Sequence, residues 1–224
     1  MMVIKMKKAI FFDLDGTLWD ALLQITDSWN MTMIKNNYRY RFDVQTIKSY
    51  MGLTPEETCK LAFNDISLKE GLKIFKFLVE DEIVFLSKNP GKTYDYEDEV
   101  LENLSKKYDL FVVSNSDKGY VENYLSTCNK TKYFKGHICV GDTGLAKWQN
   151  IILLKEKEHI DKVIYVGDTL KDKNESEKAN ATFIHAKYGF GKIDDDCHEI
   201  NGLQELPKLV EQIFENNIKT YIKC

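Results

Sequence analysis

Five short runs rich in β-branched and aromatic residues recur along this chain, each followed by a polar turn and a helical pattern. They cover residues 9–14, 110–113, 137–140, 163–166 and 181–186. Strands that alternate with helices form βαβ units, which pack as a parallel sheet with helices on both faces. The pattern therefore predicts an α/β fold. The turns after its strands would lie along one edge of the sheet, where open α/β sheets bind ligands.

Residues 18–87 contain no comparable run, and apolar residues recur there at helical spacing. One stripe comprises Trp29, Met33 and Ile34, and another comprises Ile74, Phe75, Leu78, Ile83 and Leu86. The segment Thr54-Pro55-Glu56-Glu57 is typical of a helix start. We predict an all-helical subdomain at 18–87, inserted into a core formed by residues 1–17 and 88–224. A linker at 89–91 would return the chain to the core, and an amphipathic helix at 203–218 would close it.

Composition excludes several classes of function. Hydrophobic residues make up 43% of the 224 residues and charged residues 29%, as in an ordinary globular protein. A net charge of -4 offers no basic face for nucleic acid. An anionic substrate stays compatible with this charge, because a bound metal and one lysine can reverse the local sign. No obligate protein partner is indicated.

The cysteines and the N-terminus indicate the compartment. Five scattered cysteines without Cys-x-x-Cys spacing predict neither a disulfide framework nor a zinc site. Asp13 and Asp15 interrupt the first apolar run, so we expect no signal peptide of normal form, and no apolar stretch is long enough to span a membrane. We expect a cytoplasmic protein.

Two carboxylates, Asp13 and Asp15, stand where the first strand breaks into a glycine turn. Residues at i and i+2 of a strand share a face, so both acids can point toward one site. Like charges this close need a cation or a shared proton, and Mg²⁺ is the natural oxygen-liganded partner. Taken alone, the pair is equally compatible with an ordinary strand-ending turn.

Three further turns carry polar residues after strands. Ser114 and Asn115 follow the second strand and offer a hydroxyl and free amides, as an anion seat or as a helix N-cap. Lys147 precedes a helical run and could reach the sheet edge, although a single lysine is usually a surface residue. Asp168 and Asp172, four residues apart, form a second acidic pair after the fourth strand.

The tripeptide Gly-Asp-Thr occurs twice, at 141–143 and at 167–169. In the second tripeptide, Asp168 is followed four residues later by another aspartate, Asp172. In the first, the residue four positions after Asp142 is Ala146. We therefore assign metal binding to Asp168 and interpret Asp142 as a turn residue.

Taken in order, these four turns resemble the motifs of the haloacid-dehalogenase-like phosphohydrolases. The motifs are Asp13-Leu14-Asp15-Gly16-Thr17, Ser114, Lys147, and Gly167-Asp168-Thr169 with Asp172. Tyr188-Gly189-Phe190-Gly191 and Met51-Gly52 resemble the phosphoglycolate-phosphatase-like subgroup, whose helical cap is inserted after the first strand. The resemblance implies a Rossmann-like core with 18–87 as the cap, Mg²⁺ as cofactor and a small phosphorylated metabolite as substrate.

The resemblance also implies a role for each motif residue. Asp13 resembles the nucleophile that forms an aspartyl-phosphate, and Asp15 the general acid/base. Mg²⁺ would be bound by the carboxylates of Asp13 and Asp168 and by the main-chain carbonyl of Asp15, with Asp172 as a ligand or as a residue that orients one. Phosphate oxygens would be held by Ser114, the amide of Asn115 and Lys147. The dehalogenases lack an acid at the position of Asp15, so its presence favours phosphate-ester chemistry. Trp148 departs from the family pattern, in which a proline often follows the lysine.

Several alternatives stay open at this point. A phosphosugar mutase and a pyrophosphatase share the same site residues, and a phosphonate hydrolase would need a cap lysine such as Lys35, Lys48 or Lys60. A non-catalytic binding protein is the alternative from another class. The only two arginines, Arg39 and Arg41, are either substrate anchors in the cap or residues of a solvated loop. The four histidines have no metal-ligand spacing and receive no role.

Overall fold

The computed structural model describes residues 6–221, and side chains through residue 215. Its strands, in chain order, are β1 (Lys8–Phe12), β2 (Trp19–Asp20), β3 (Lys92–Thr93), β4 (Asp109–Ser114), β5 (Gly136–Cys139), β6 (Lys162–Gly167), β7 (Thr182–Ala186) and β8 (His198–Ile200). Its helices are α1 (Leu22–Lys35), α2 (Val44–Tyr50), α3 (Pro55–Ala62), α4 (Leu68–Leu86), α5 (Glu97–Ser105), α6 (Tyr120–Thr127), α7 (Val140–Thr143), α8 (Lys147–Lys157), α9 (Leu170–Lys178) and α10 (Leu206–Tyr221).

Six of these strands form one parallel sheet in the order β5-β4-β1-β6-β7-β8. The alternating side chains of β1 point to opposite faces, as strand geometry requires. Ala9 and Phe11 join a cluster that includes Ile151 of α8, whereas Ile10 and Phe12 join a larger one that includes Val210 of α10. Helices therefore cover both faces, and the predicted α/β fold is confirmed.

The helices α1–α4 follow β2 and precede β3, so the helical character of the insert is confirmed. The predicted range 18–87 also contains β2, and its bounds stay a prediction. Trp29 lies at its centre, with edge contacts to the rings of Phe42 and Phe75 and a stacked contact with Tyr50. The inclusion of Ile34 in the apolar stripe was wrong, because its side chain is 58% exposed. It is one residue beyond Met33 and therefore faces a different side of α1.

The chain crosses between sheet and insert twice, and the two crossings run side by side. β2 and β3 pair antiparallel, with Trp19 opposite Thr93 and Asp20 opposite Lys92. A Cβ at Gly91 would lie 2.8 Å from the main-chain oxygen of Asp20, so only glycine allows this approach.

The structure differs from the sequence-based expectations at a few elements. β8 was not predicted, because three residues are too few to show a strand pattern. The closing helix is a 3₁₀ turn, Leu203–Glu205, followed by α10. Asp142 lies in the short helix α7 rather than in an open turn. Within the described residues, the four cysteines are free and none of the helices has the length and apolar character needed to span a membrane.

Candidate active site

The central position of β1 brings the strand-ending turns together. β1 lies between β4 and β6, and the amide of Asp13, just past its end, donates to the carbonyl oxygen of Val166 at 2.8 Å. Ser114 ends β4, and Asp168 directly follows β6. All three side chains are buried at the same edge of the sheet. The site thus follows from strand order, as the sequence predicts.

Lys147 is the buried cation of this edge. It is the first residue of α8, and only 1% of its side chain is exposed. Its ammonium donates to Asp13 Oδ1 at 2.8 Å and to Asp172 Oδ1 at 2.5 Å. Burial alone would lower the pKa of Lys147, but these two carboxylates together raise it well above its usual range. The lysine therefore stays charged beside Asp13.

Asp172 lies in the first turn of α9 and is held from both sides. Its Oδ2 accepts hydrogen bonds from the amide of Thr169 at 3.1 Å and from the hydroxyl of Thr169 at 2.6 Å. Thr169 is the N-cap of α9, so the two residues form a capping box. Both oxygens of Asp172 are thus engaged, which fits a residue that orients Lys147 better than a direct metal ligand.

Asp168 has one occupied and one free oxygen. Its Oδ2 accepts hydrogen bonds from the amides of Phe190 and Gly191 at 2.7 and 3.2 Å. In the described part of the chain, its buried Oδ1 has no hydrogen-bond partner. A Cβ at Gly16, whose φ is +77°, would lie 2.3 Å from Asp168 Oδ2, so glycine is required there.

Asp13, Asp168 and Asp172 form a cluster suited to a divalent cation. Each offers a carboxylate oxygen, and the three oxygens lie within 4.8 Å of one another. Burial, and next the charge of Asp172, raise the pKa of Asp13 and bring that of Asp168 to about 7. Three buried carboxylates with one lysine lack positive charge, and the free Asp168 oxygen lacks a partner. A hard, oxygen-liganded cation such as Mg²⁺ would supply both.

Asp15 is held by two aromatic donors. Trp19 Nε1 and the Tyr120 hydroxyl both donate to its Oδ1, at 3.1 and 2.7 Å. Burial raises the pKa of Asp15 to about 6, although these two hydrogen bonds oppose the shift. A carboxyl group with a pKa near neutrality exchanges protons readily at physiological pH.

Ser114 and Asn115 lie at the cavity between cap and core. Ser114 Oγ accepts a hydrogen bond from the Ser116 amide at 3.1 Å. The Asn115 side chain reaches the cap, where its Nδ2 donates to the carbonyl oxygen of Gly52 at 2.9 Å. Asp13, Asp15, Ser114 and Asn115 line one cavity together with residues from all four helices α1–α4.

The two arginines lie elsewhere. Arg39 is exposed and pairs with Asp65, and Arg41 donates to the carbonyl oxygens of Tyr38 and Tyr40. Neither is among the residues that line the cavity. Glu57 of the insert makes a further contact with the core, because its carboxylate accepts from Lys171 of α9 at 2.8 Å.

Four residues contribute to the site although the sequence analysis gave none of them a role. Trp19 and Tyr120 hold Asp15, Thr169 holds Asp172, and Glu82 of α4 lines the cavity. The Thr-x-x-Asp spacing of a capping box could have identified the role of Thr169. Trp19 is only four residues from Asp15, but no sequence pattern shows that its indole turns back to that carboxylate. The contributions of Tyr120 and Glu82 depend on how elements distant in the sequence meet.

Open α/β sheets bind their ligands at the carboxyl ends of the strands. A buried lysine and several aspartates lie at this edge here, as in one class of α/β enzymes. The chain belongs to the haloacid dehalogenase-like hydrolases, because the model of that family matches residues 10–186. The resemblance to this family is thereby confirmed, and the chain is a hydrolase. Curated protein sequences give no match to it.

Solved structures share the fold along nearly the whole chain. A predicted phosphatase from Clostridium acetobutylicum superposes with a TM-score of 0.77 at 21% identity, covering 93% of this chain and 100% of its own. A predicted phosphoglycolate phosphatase from Haemophilus somnus gives 0.73 at 20%, covering 92% and 99%. CbbY from Rhodobacter sphaeroides, in complex with xylulose-(1,5)-bisphosphate, gives 0.76 at 14%, covering 90% and 96%. At these identities the likeness establishes the fold alone.

Proposed function

We propose that this protein is a Mg²⁺-dependent phosphatase that hydrolyses a small phosphomonoester through an aspartyl-phosphate on Asp13. The observation that carries the proposal is the pairing of Asp13 with buried Lys147 beside the unpartnered oxygen of Asp168. Asp15, two residues from Asp13, lines the same cavity and has a pKa near neutrality. A nucleophile, a cation and a proton donor are therefore available in one place.

In the first step, a carboxylate oxygen of Asp13 attacks phosphorus and the bond from phosphorus to the ester oxygen breaks. Asp15 gives its proton to the departing alkoxide. In the second step, Asp15 takes a proton from water, which attacks the acyl phosphate and releases phosphate and free Asp13. Lys147, Ser114 and the amide of Asn115 hold the phosphoryl oxygens and balance their charge.

The donor set fits Mg²⁺, which would supply further positive charge to the phosphoryl group. The carboxylates of Asp13 and Asp168 and the main-chain carbonyl of Asp15 would hold it, and Asp172 would position Lys147. We further propose that residues 18–87 act as a cap over the core formed by 1–17 and 88–224. The contact of Asn115 with Gly52 supports this division, since it joins the phosphate end of the cavity to the cap.

Candidate substrates are phosphoglycolate-like compounds and sugar phosphates. The fold is shared with a predicted phosphoglycolate phosphatase and with a protein that holds a sugar bisphosphate. Phosphonate cleavage through a Schiff base receives less support, because none of Lys35, Lys48 and Lys60 is among the residues that line the cavity.

The test is hydrolysis of p-nitrophenyl phosphate and of a panel of metabolite phosphates, with Mg²⁺ and with a chelator. Asp13→Asn should lower kcat by at least about 10³-fold while circular dichroism shows an intact fold, because an amide is a far weaker nucleophile. Asp142→Asn, the same change at an aspartate outside the three-aspartate cluster, should retain activity. A folded Asp13→Asn variant with a near-normal rate would refute the proposal, and so would failure of the wild-type protein on every ester.

A further inference from the structure

The cavity next to Asp13 has an unusual charge distribution. Toward the cap its lining is mainly apolar and aromatic, from residues that include Ile25, Trp29, Tyr50, Leu53, Phe75 and Val79. Its ionisable groups are acidic: Asp13, Asp15, Glu82, Asp117 and the phenols of Tyr50 and Tyr120. Within residues 6–221, no lysine, arginine or histidine lines it.

Glu82 is the acid that the cap contributes. It lies in α4, and Trp29 Nε1 donates to its Oε2 at 2.5 Å. Burial raises the pKa of Glu82 to about 8, and the charges of Asp15 and Asp117 add to the shift. Above about pH 8, Glu82 is therefore ionised and places a buried negative charge in the same cavity as Asp15 and Asp117.

Two lysines next to residues of the cavity lining are engaged by other groups. Lys147 contacts Asp13 at the phosphate end of the cavity and is held by Asp172 as well. Lys48 of α2 lies over the ring of Phe190, 5.5 Å from its centroid. A carboxylate or a second phosphate in the apolar part of the cavity would lose its hydration and meet no positive partner, which is costly.

From this lining we infer that the cavity accepts the organic part of a phosphomonoester only when that part bears no negative charge, with Glu82 as the determinant of this selectivity. The inference rests on the proposed phosphatase function and narrows its substrates. Sugar and other polyol phosphates fit, as do esters of amino alcohols, since aromatic rings and buried acids favour ammonium groups. Phosphoglycolate, whose organic part ends in a carboxylate, does not fit.

The test is run at pH 9, where Glu82 is ionised, and uses three two-carbon esters that differ in terminal charge: 2-hydroxyethyl phosphate, phosphoethanolamine and 2-phosphoglycolate. For the wild-type protein, we expect kcat/KM on phosphoglycolate to be at least about tenfold below that on the neutral ester. Phosphoethanolamine should match or exceed the neutral ester. Phosphoethanolamine and phosphoglycolate both have a strongly hydrated charged end, so a difference between them reports the sign of the charge and not the cost of removing water.

Glu82→Gln removes the acid and preserves the shape of the side chain, so the preference for the neutral ester over phosphoglycolate should fall at least about threefold. Glu80→Gln is the matched control, because Glu80 lies on the same helix with a 59% exposed side chain. This control should leave the preference unchanged. Equal kcat/KM on all three esters, or an equal loss of preference in both variants, would overturn the inference.

Binding gives a readout that does not depend on turnover. Calorimetric titration of the three esters into Asp13→Asn protein should reproduce the order of preference, and equal affinities would contradict the inference. If p-nitrophenyl phosphate and the neutral esters are hydrolysed without charge discrimination, the inference fails and the phosphatase function stands. If no ester is hydrolysed, the phosphatase function fails, and the order of binding alone decides the selectivity.

Discussion

At the scale of single residues, the site depends on which carboxylate oxygens are hydrogen-bonded to the protein. Asp172 uses both carboxylate oxygens on the protein, whereas Asp168 uses one for the amides of Phe190 and Gly191 and leaves the other free. An unsatisfied buried oxygen is costly unless a ligand completes it. Two aspartates four residues apart are therefore engaged differently: Asp172 is held by the protein, and Asp168 keeps an oxygen for the proposed cation.

This division predicts how Mg²⁺ affects stability. A ligand that binds only the folded state stabilises it, by about 2.7 kcal/mol at one hundred times its dissociation constant. We expect saturating Mg²⁺ to raise the Tm of the wild-type protein, and Asp168→Asn to abolish most of that increase because it removes a charged ligand. Differential scanning calorimetry with and without Mg²⁺ would measure both effects.

The first Gly-Asp-Thr, at 141–143, supplies the control. The Asp142 carboxylate accepts hydrogen bonds from the amide and thiol of Cys139, away from the three-aspartate cluster. Asp142→Asn should therefore keep the full increase in Tm. If Asp168→Asn keeps it too, Asp168 is not a metal ligand.

At the scale of elements, the same helix-start chemistry appears in the cap and in the site. Thr54 caps α3 through a capping box with Glu57, and Thr169 caps α9 through one with Asp172. In both, the threonine hydroxyl accepts the amide of the third helical residue, whose carboxylate accepts the amide of the threonine. Only the second box includes a residue that contacts Lys147.

The two boxes allow stability and catalysis to be separated. Thr54→Ala and Thr169→Ala should each lower the free energy of unfolding by about 1 kcal/mol, the usual cost of losing an N-cap. Thr169→Ala should also reduce kcat about fivefold, because Asp172 loses the hydroxyl that fixes its carboxylate beside Lys147. Urea unfolding and steady-state kinetics on both variants give the comparison. An equal effect of both variants on kcat would show that the second box is purely structural.

At the scale of the whole molecule, buried acids make stability depend on pH. Burial raises the pKa of Glu82 to about 8 and that of Glu97 to about 7, from an ordinary value of 4.5. A raised pKa means that the folded state binds more protons than the unfolded state between the two values, so its stability falls as pH rises through that window. The lowered pKa of His185 opposes this trend.

We therefore expect the metal-free protein to lose stability between about pH 4.5 and 8. We expect the free energy of unfolding of Glu82→Gln, compared with that of the wild type at the same pH, to be more favourable at pH 8.5 than at pH 5.5. The reason is that the wild-type carboxylate must be buried with its charge at pH 8.5, whereas glutamine has no charge. Urea midpoints at the two pH values measure this difference. A wild-type stability that rises steadily across the window would contradict it.

The sequence alone predicts those features of the fold and the site that follow from local patterns of residues. The strand ends predicted the meeting of Asp13, Ser114 and Asp168, because parallel strands end at one edge. The contacts of Asp15 with Tyr120, 105 residues away, and of Trp29 with Glu82, 53 residues away, depend on helix packing that no local pattern encodes. The proposed charge selectivity of the cavity therefore becomes visible only in three dimensions.

The paired strands β2 and β3 have a mechanical consequence. If the proposed cap moves, two paired crossings would restrict it to rotation about one axis, as a hinge does. Trp19 belongs to this hinge, and its indole donates a hydrogen bond to Asp15, the proposed proton donor. A rotation that displaced Trp19 would weaken this hydrogen bond, so that proton transfer would be coupled to closure of the cavity.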